Sequence, residues 1–268
     1  MSIVPAAAFS GVVRPDWSTP ANVRALLTTR RGGCSLAPYD GFNLGVHVGD
    51  EPGAVARNRA MLRELLPAEP LWLSQVHGCN VADADADADA VHGVQVADAT
   101  VARKPGRVCV VMTADCLPVL FCDDDGSVVA AAHAGWRGLA GGVLEATIAK
   151  MAVAPEKLGA WLGPAIGPDR FEVGSEVREV FVDQDPEAVQ AFAAAPLPGK
   201  WMADLFMLAR LRLQAAGVRR IEGGGVCTVE NRESFYSYRR DRCTGRFASL
   251  VWLEPVPEPV SAGMKRAG

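Results

Sequence analysis

The chain has 268 residues, of which 49% are hydrophobic and 22% are charged, a balance typical of globular soluble proteins. Its formal net charge of −4 argues against a general nucleic-acid-binding surface, which needs a basic surplus. No apolar run approaches the roughly 20 residues that a membrane-spanning helix needs. The N-terminal stretch up to Trp17 lacks the charged and apolar regions of a secretion signal. We therefore expect a cytoplasmic protein with no nucleic-acid or membrane partner, and the sequence leaves its oligomeric state open.

The cysteines and histidines limit the metal chemistry that the chain can support. Seven cysteines are present, an odd number with no C-x-x-C pair, which predicts reduced thiols and no structural zinc ribbon. The chain has four histidines, His47, His77, His92 and His133.

The first third of the chain predicts short strands, loops and one helix. Prolines exclude a long helix before residue 30, and Leu26–Thr29 is a strand candidate followed by glycine-rich loops. Apolar spacing predicts a helix over Pro52–Leu66, and Leu71–Val76 is an apolar strand candidate. The segment Ala82–Ala90 alternates alanine with aspartate. Because both residues are poor strand formers and like charges repel, we expect an exposed, mobile loop, with cation binding as the alternative.

The rest of the chain alternates buried strands with helices. The predicted elements are strands at Val108–Met112, Val119–Phe121, Val128–Ala132, Gly159–Ile166, around Ile221 and at Phe247–Leu253, and helices from Val143, over Phe171–Val182, Ala188–Ala195 and Trp201–Ala216. This pattern predicts a single α/β (α+β) domain over residues 1–254, with a mixed β-sheet flanked by helices. The proline-rich tail, residues 255–268, is expected to be disordered.

The stretch Val128–Lys150 combines an apolar strand, a glycine-rich loop and a helix. The loop places Arg137 among four glycines, and free N–H groups at the start of a helix can bind an anion. Neither a dinucleotide fingerprint nor a P-loop is present. A glycine-rich turn that serves packing alone is the structural alternative.

His77, Cys116 and His133 each follow a predicted buried strand, and strand ends gather at one edge of an α/β sheet. Two imidazoles and a thiolate suit zinc, and three protein ligands leave a fourth position open, as in catalytic sites. Each residue singly could be an ordinary core residue. A Cys116 nucleophile with a histidine base is the competing hypothesis.

Two other metal chemistries are disfavoured. The H-x-E and P-C-x-x-C motifs of the cytidine-type zinc deaminases are absent. Two histidines and a cysteine also form the blue-copper ligand set, but a multicopper oxidase needs many more histidines than four. Zinc is therefore preferred to copper.

The same residues lie in long motifs that resemble the YfiH family, also called the DUF152 or laccase-domain family. The matching motifs are Thr28-Thr-Arg-x-Gly-Gly, Phe42-Asn-Leu-Gly-x-His-Val-Gly-Asp, Gln75-Val-His-Gly, Thr113-Ala-Asp-Cys-Leu-Pro-Val, His133-Ala-Gly-Trp-Arg-Gly, Leu162-Gly-Pro-Ala-Ile-Gly-Pro, Phe235-Tyr-Ser-Tyr-Arg-Arg-Asp and Thr244-Gly-Arg. The resemblance spans most of the chain, which departs from the family pattern mainly at the Ala-Asp segment and in the tail.

The resemblance implies a fold similar to that of bacterial cysteine deamidase toxins, with His77, Cys116 and His133 as zinc ligands. It implies purine nucleoside phosphorylase activity, on adenosine, inosine or methylthioadenosine, with adenosine deaminase activity at the same site. Some family members are described instead as editing peptidoglycan precursors by removing serine from UDP-MurNAc, which would suit a Cys116/His133 amidase. The older polyphenol oxidase name conflicts with the histidine count.

Further site residues follow as hypotheses. Asp115 could orient a ligand or carry a proton, and phosphorolysis needs an anion site, for which guanidinium groups are suited. The anion-site candidates are Arg31, Arg137, Arg239 and Arg240, and the motif residues Asn43, His47 and Gln75 are candidates for lining the pocket. Phe42, Tyr236 and Tyr238 could stack on a purine or pack in the core.

Overall fold

The structure is a computed structural model that describes residues 11–86 and 93–255. Its elements are, in chain order, β1 Val12–Val13, β2 Val23–Thr28, α1 Pro52–Arg63, β3 Leu73–Ser74, β4 Val81–Asp83, β5 Gln95–Val96, β6 Ala99–Ala102, β7 Val108–Thr113, β8 Leu117–Asp123, β9 Val129–Ala134, α2 Trp136–Gly141, α3 Val143–Met151, β10 Leu158–Leu162, β11 Glu172–Gly174, α4 Ser175–Val182, β12 Phe192–Ala194, β13 Lys200–Ala203, α5 Leu205–Ala215, β14 Arg220–Gly223, α6 Tyr238–Asp241 and β15 Phe247–Leu253. No helix in these ranges has the length and hydrophobicity to cross a membrane.

Two large sheets form the centre of the domain. The first is antiparallel, in the order β1-β2-β15-β7. The second has the order β14-β10-β8-β9-β6-β4 and is mixed, since β10 pairs with β14 and β4 with β6 in parallel while the remaining pairs are antiparallel. Two small sheets, β11-β13-β12 and β3-β5, lie outside them.

The sheets pack on each other and each is covered by helices. Successive side chains of a strand point to opposite faces, so β7 serves two layers. Val111 packs with Leu120 and Val129 of the second sheet, whereas Val110 packs with Leu62 and other residues on the α1 side. Helices α3 and α5 cover the far face of the second sheet. The predicted α/β domain with helices on its sheet faces is confirmed, with two central sheets in place of one.

Several predicted boundaries are wrong, and for the predicted helices the cause is an ambiguity between helix and strand. The strands predicted at Leu71–Val76 and Gly159–Ile166 are shorter in the structure, where they are β3 and β10. The segments Phe171–Val182 and Trp201–Ala216, predicted to be helical throughout, each start with a short strand, β11 and β13, before the helix begins. Ala188–Ala195 forms the end of a 3-10 turn, Pro186–Ala191, followed by β12. Short apolar runs satisfy both helical and strand patterns, and here cross-strand pairing decides. The Asp204 carboxylate, which accepts a hydrogen bond from Met207 N, then starts α5.

The Ala-Asp segment is not wholly a loop. Ala82 and Asp83 belong to β4, which pairs with β6, and Asp83 lies within ion-pair distance of Arg103 and Lys150. These two cations offset the repulsion between neighbouring aspartates, which was the reason for predicting a loop. Residues 87–90, and the predicted tail from residue 256, lie outside the described residues.

The glycine-rich stretch after β9 is also more regular than predicted. Residues Trp136–Gly141 form α2, and Gly142, with a positive φ of 97°, joins it to α3. A left-handed backbone at this junction favours glycine because it has no Cβ.

Candidate metal centre

His77, Cys116 and His133 come together at the end of the second sheet. His77 follows β3, Cys116 lies in the turn between β7 and β8, and His133 is the penultimate residue of β9. Their ligand atoms all lie within 4.8 Å of one another, and Cys116 Sγ is 3.7 Å from His77 Nε2. His133 is buried, whereas His77 is exposed to solvent. The structure therefore assembles the predicted three-residue group, open on one side.

Asp98, which is not among the site residues predicted from the sequence, holds two of the three residues in place. Its carboxylate is fully buried and accepts a hydrogen bond from His133 Nδ1 at 2.8 Å. It also accepts hydrogen bonds from the backbone N–H groups of Val76, His77 and Gly78. Since His77 has a positive φ of 60°, these bonds support a backbone conformation that histidine rarely adopts. Asp98 thereby leaves His133 Nε2 to face Cys116.

Gly135 allows the three side chains to pack this closely. A Cβ at this position would lie 2.8 Å from His77 Cδ2 and 2.9 Å from Cys116 Sγ. Both distances are shorter than normal van der Waals contact, so only glycine fits without displacing the cluster.

The cluster has strongly shifted pKa values. Burial raises the pKa of the Cys116 thiol, but His133 and His77 outweigh burial and lower it to about 6. Burial lowers the pKa of His133, but the Cys116 thiolate and Asp98 outweigh it and raise it to about 9. Burial raises the pKa of Asp98, yet hydrogen bonds from His133 and Gly78 keep it below its ordinary value. Without a metal, Cys116 and His133 therefore form a thiolate–imidazolium pair at neutral pH.

The donor set fits a metal ion such as zinc. A thiolate and two imidazole nitrogens are zinc ligands, and the carboxylate on His133 Nδ1 is the partner that metal-bound histidines usually have. No other group of three candidate ligands occurs among residues 11–86 and 93–255. With four histidines in the chain, a multicopper site lacks ligands.

A cavity of about 240 Å³ opens directly onto the cluster. His47, Gln75, Tyr238 and Arg246 contribute to its wall. Gln75 is fixed there by two hydrogen bonds of 2.8 Å with the backbone of Met112. A neighbouring cavity of about 440 Å³ shares His47, Tyr238 and Arg246 with it. Thus His47 and Gln75 lie in the wall of the site cavity, and their part in binding a ligand stays a prediction.

Asp115, Arg239 and Arg240 make contacts away from this cavity. Asp115 has a φ of 97°, and its carboxylate accepts hydrogen bonds from Thr228 Oγ1 and Arg239 N. The Arg239 guanidinium donates to the carbonyls of Arg170 and Glu172. Arg240 donates to backbone carbonyls of residues 228, 229 and 235 and pairs with Asp241. These side chains connect segments of the fold.

Arg31, Arg137 and Asn43 also lie outside the cavity wall. Arg31 lines a separate surface cavity of about 630 Å³ and donates to the Glu233 carbonyl. Arg137 lies over the Trp136 ring at 4.3 Å. Asn43 is fully buried and bonds to backbone around residues 45 and 246 and to Asp50. None of the four arginines chosen from the sequence is thus brought to the metal cluster.

Of the three aromatic residues considered for stacking, Tyr238 alone lines the cavity. Phe42 and Tyr236 are fully buried, whereas 51% of the Tyr238 surface is exposed. The first two therefore pack in the core, and Tyr238 is available to a ligand.

Asp98 and Arg246 had weak sequence signals. Asp98 is the one acidic residue in the segment Val96–Ala102, which is otherwise apolar except for Thr100. Arg246 ends the Thr244-Gly-Arg motif of the family resemblance. Each is a charged residue directly before a buried strand, β6 for Asp98 and β15 for Arg246, and this position is the signal that could have indicated them.

Comparison with known proteins places the chain among its relatives. A family described as "Multi-copper polyphenol oxidoreductase laccase" matches residues 24–254. A purine nucleoside phosphorylase of Pseudomonas aeruginosa is 56% identical over 240 residues, 90% of this chain and 97% of that protein. Purine nucleoside phosphorylase YfiH of Escherichia coli is 51% identical over 246 residues, 91% of this chain and 99% of that protein.

Solved structures extend the likeness to the fold. A Neisseria meningitidis protein described as DUF152 superposes with a TM-score of 0.87 at 52% identity, covering 91% of this chain and 100% of that chain. YlmD from Geobacillus stearothermophilus superposes with a TM-score of 0.83 at 32% identity, covering 94% and 99%. The chain therefore belongs to the laccase-like DUF152, or YfiH, family that its motifs predict.

Proposed function

We propose that this protein is a zinc-dependent purine nucleoside phosphorylase that acts on adenosine, inosine and methylthioadenosine, with adenosine deaminase activity at the same site. The observation that carries the proposal is the three-residue donor cluster of His77, Cys116 and His133 beside a cavity with a cationic wall. The names of the relatives from Pseudomonas aeruginosa and Escherichia coli support the reaction class.

His77, Cys116 and His133 would hold the zinc ion, which when bound supplies a Lewis acid that polarises an oxygen atom. Asp98 keeps the proton of His133 on Nδ1, so that Nε2 remains a donor atom. Tyr238 presents an exposed ring on which a purine can stack. The site cavity and its neighbour together reach the size range of small-molecule sites, about 300–1,000 Å³.

The alternative predicted from the sequence, a Cys116/His133 amidase, is not favoured by the names of the relatives. Its geometry is nevertheless available without a metal, because a low-pKa thiol lies beside a histidine oriented by a carboxylate. Zinc on the thiolate would block the nucleophile, so removal of metal affects the two activities in opposite directions.

The test is release of free base from adenosine and inosine by the purified protein, by chelator-treated protein and by protein restored with zinc. We expect phosphate-dependent release that is lost on chelation and returns with zinc. Conversion of adenosine to inosine without phosphate reports the deaminase activity. Absence of both reactions from zinc-loaded protein would refute the proposal.

Paired cysteine variants make the test specific. Cys116→Ser should lose bound zinc and both activities, because a hydroxyl is a poor zinc ligand. Cys34→Ser, which changes a half-buried cysteine outside the site, should keep both. Equal loss in the two variants would mean that thiol removal acts through folding.

The cytoplasm is the compartment we propose for this activity. All seven cysteines are free thiols, which fits a reducing environment.

A further inference from the structure

Arg246 lines the site cavity and has an unused hydrogen-bonding edge. Its Nη1 donates to the carbonyls of Thr244 and Gly245 at 3.1 and 3.0 Å. Within the described part of the chain, neither Nε nor Nη2 has an acceptor at hydrogen-bond distance, and no carboxylate forms an ion pair with the group. Nε and Nη2 form one edge of the guanidinium, the edge that binds an oxyanion through two parallel bonds.

The motif around Asn43 fixes the position of Arg246. Asn43 Oδ1 accepts a hydrogen bond from Arg246 N at 2.8 Å, and Leu44 N donates to the Arg246 carbonyl at 3.1 Å. Gly45 lies against the stem of the side chain, where a Cβ would approach Arg246 Cγ to 2.9 Å. Asn43 and Gly45 are therefore positioning residues for this arginine.

Arg59 adds a second positive charge beside the cavity, since its Nη2 lies 3.9 Å from Sδ of Met112, a residue of the cavity wall. Its guanidinium lies 3.8 Å over the Trp72 ring, and its Nε donates to the Leu44 carbonyl at 3.0 Å. In residues 11–86 and 93–255 no carboxylate forms an ion pair with it. Burial lowers the pKa of His47, and the charges of Arg246 and Arg59 lower it further, so both act on the cavity wall. Arg246 in the wall and Arg59 beside it, both partly buried and neither ion-paired with a carboxylate of the described residues, make this side of the cavity attractive to an anion.

We propose that Arg246, with Arg59 as a supporting charge, is the binding site for inorganic phosphate. This inference rests on the proposed phosphorolysis and assigns its anion site to residues other than the four arginines chosen from the sequence. In the reaction, a phosphate oxygen forms a bond to C1′ of the ribose as the bond from C1′ to the purine breaks. The electron pair of that bond goes to the purine nitrogen, and the proton of hydrogen phosphate ends on the free base.

The same guanidinium edge could accept the phosphate ester of a nucleotide. Kinetics with inorganic phosphate and with adenosine monophosphate distinguish these two sources of a phosphate group. Inorganic phosphate as a co-substrate predicts an Arg246-dependent KM for phosphate with adenosine as substrate, whereas a nucleotide site predicts Arg246-dependent turnover of adenosine monophosphate.

The experiment compares the zinc-loaded full chain with its Arg246→Gln, Arg246→Lys and Gly45→Ala variants. Arg232→Gln is the matched control, since its side chain is 68% exposed and lies outside the site cavity. We measure KM for phosphate and for adenosine, phosphate binding by calorimetry, and zinc content together with chemical denaturation as the test of folding.

We expect Arg246→Gln to raise KM for phosphate at least tenfold while KM for adenosine changes less than twofold. Arg246→Lys keeps the charge but loses the two-bond edge, and Gly45→Ala displaces the side chain, so both should give intermediate values. The Arg232→Gln control should match wild type in every measurement. Wild-type zinc content and an unchanged denaturation midpoint show that the Arg246 and Gly45 variants fold.

Two results separate this inference from the function on which it rests. If wild type catalyses phosphorolysis and Arg246→Gln keeps the wild-type KM for phosphate, the site assignment is wrong and the function stands. If no phosphorolysis occurs but calorimetry finds phosphate binding that depends on Arg246, the anion site stands and the function is wrong. Turnover of adenosine monophosphate that depends on Arg246, without any effect on inorganic phosphate, would also overturn the assignment.

Discussion

Replacement of Asp98 by asparagine should weaken metal binding and the fold together. Oδ1 of Asp98 accepts hydrogen bonds from His77 N and His133 Nδ1, and Oδ2 accepts them from Val76 N and Gly78 N. An amide has one oxygen, so whichever way it points, its NH₂ group faces two donors. Two of the four hydrogen bonds are therefore lost.

The size of the effect follows from this count. A hydrogen bond to a charged group contributes about 1.5–3 kcal/mol, so loss of two lowers the free energy of unfolding by about 3 kcal/mol or more. Loss of the carboxylate behind a ligating histidine lowers metal affinity by about 10–100-fold. We expect Asp98→Asn to show both effects.

The assay is zinc competition with a chromophoric chelator, together with chemical denaturation of the metal-free protein. Asp123→Asn is the matched control, because Asp123 is equally buried and its carboxylate accepts three hydrogen bonds from residues 127 and 128, in the turn between β8 and β9. The control should lose stability and keep its zinc affinity. Wild-type zinc affinity in folded Asp98→Asn, or an equal loss of affinity in the control, would refute the role given to Asp98.

Three other changes have defined outcomes. In the metal-free protein, the rate at which iodoacetamide alkylates Cys116 should fall by half near pH 6, because the thiolate is lost as pH falls through its pKa. Cys109 and Cys122, whose pKa burial raises to about 12, should stay unmodified in peptide mass spectra. A midpoint for Cys116 near its ordinary pKa of 9 would contradict the cluster electrostatics. Gly135→Ala should reduce zinc affinity at least tenfold in the competition assay, because the added methyl group contacts two ligands; unchanged affinity would mean that the cluster can relax. Asp115→Asn should lower the free energy of unfolding by about 1–3 kcal/mol, because the carboxylate accepts hydrogen bonds from a backbone N–H group and a hydroxyl group rather than from metal ligands. For the same reason it should raise KM for adenosine more than it lowers kcat. A large loss in kcat alone would favour the proton-transfer role.

The metal cluster was predictable because its residues follow buried strands that any fold of this class brings to one edge. His77, Cys116 and His133 each stand where an apolar run ends, and a thiolate with two imidazoles restricts the chemistry. The side chain that orients His133 could not be found in this way. Asp98 acts through hydrogen bonds to backbone groups 20 or more residues away, and its identity depends on the three-dimensional path of the chain.

The arginines illustrate the same limit for charged side chains. Arg240 stands in a family motif, yet Nε, Nη1 and Nη2 of its guanidinium are all used, by nearby carbonyl groups and by Asp241. Arg246 has a similar sequence context and keeps one edge free. Guanidinium groups have five donors, and the fold decides how many of these are satisfied internally. A sequence indicates where a cation is, but not whether it is available to a ligand.

The site lies where the two large sheets meet, and this explains why its parts come from distant segments. Cys116 is in the short connection from β7 to β8, the point at which the chain leaves one sheet and enters the other. His133 belongs to the second sheet, while Arg246 immediately precedes β15 of the first. The distance between the metal ligands and the cationic wall is therefore set by sheet-on-sheet packing. Because packed interiors transmit small displacements rather than absorbing them, a core substitution between β7 and β8 should alter substrate affinity as well as stability.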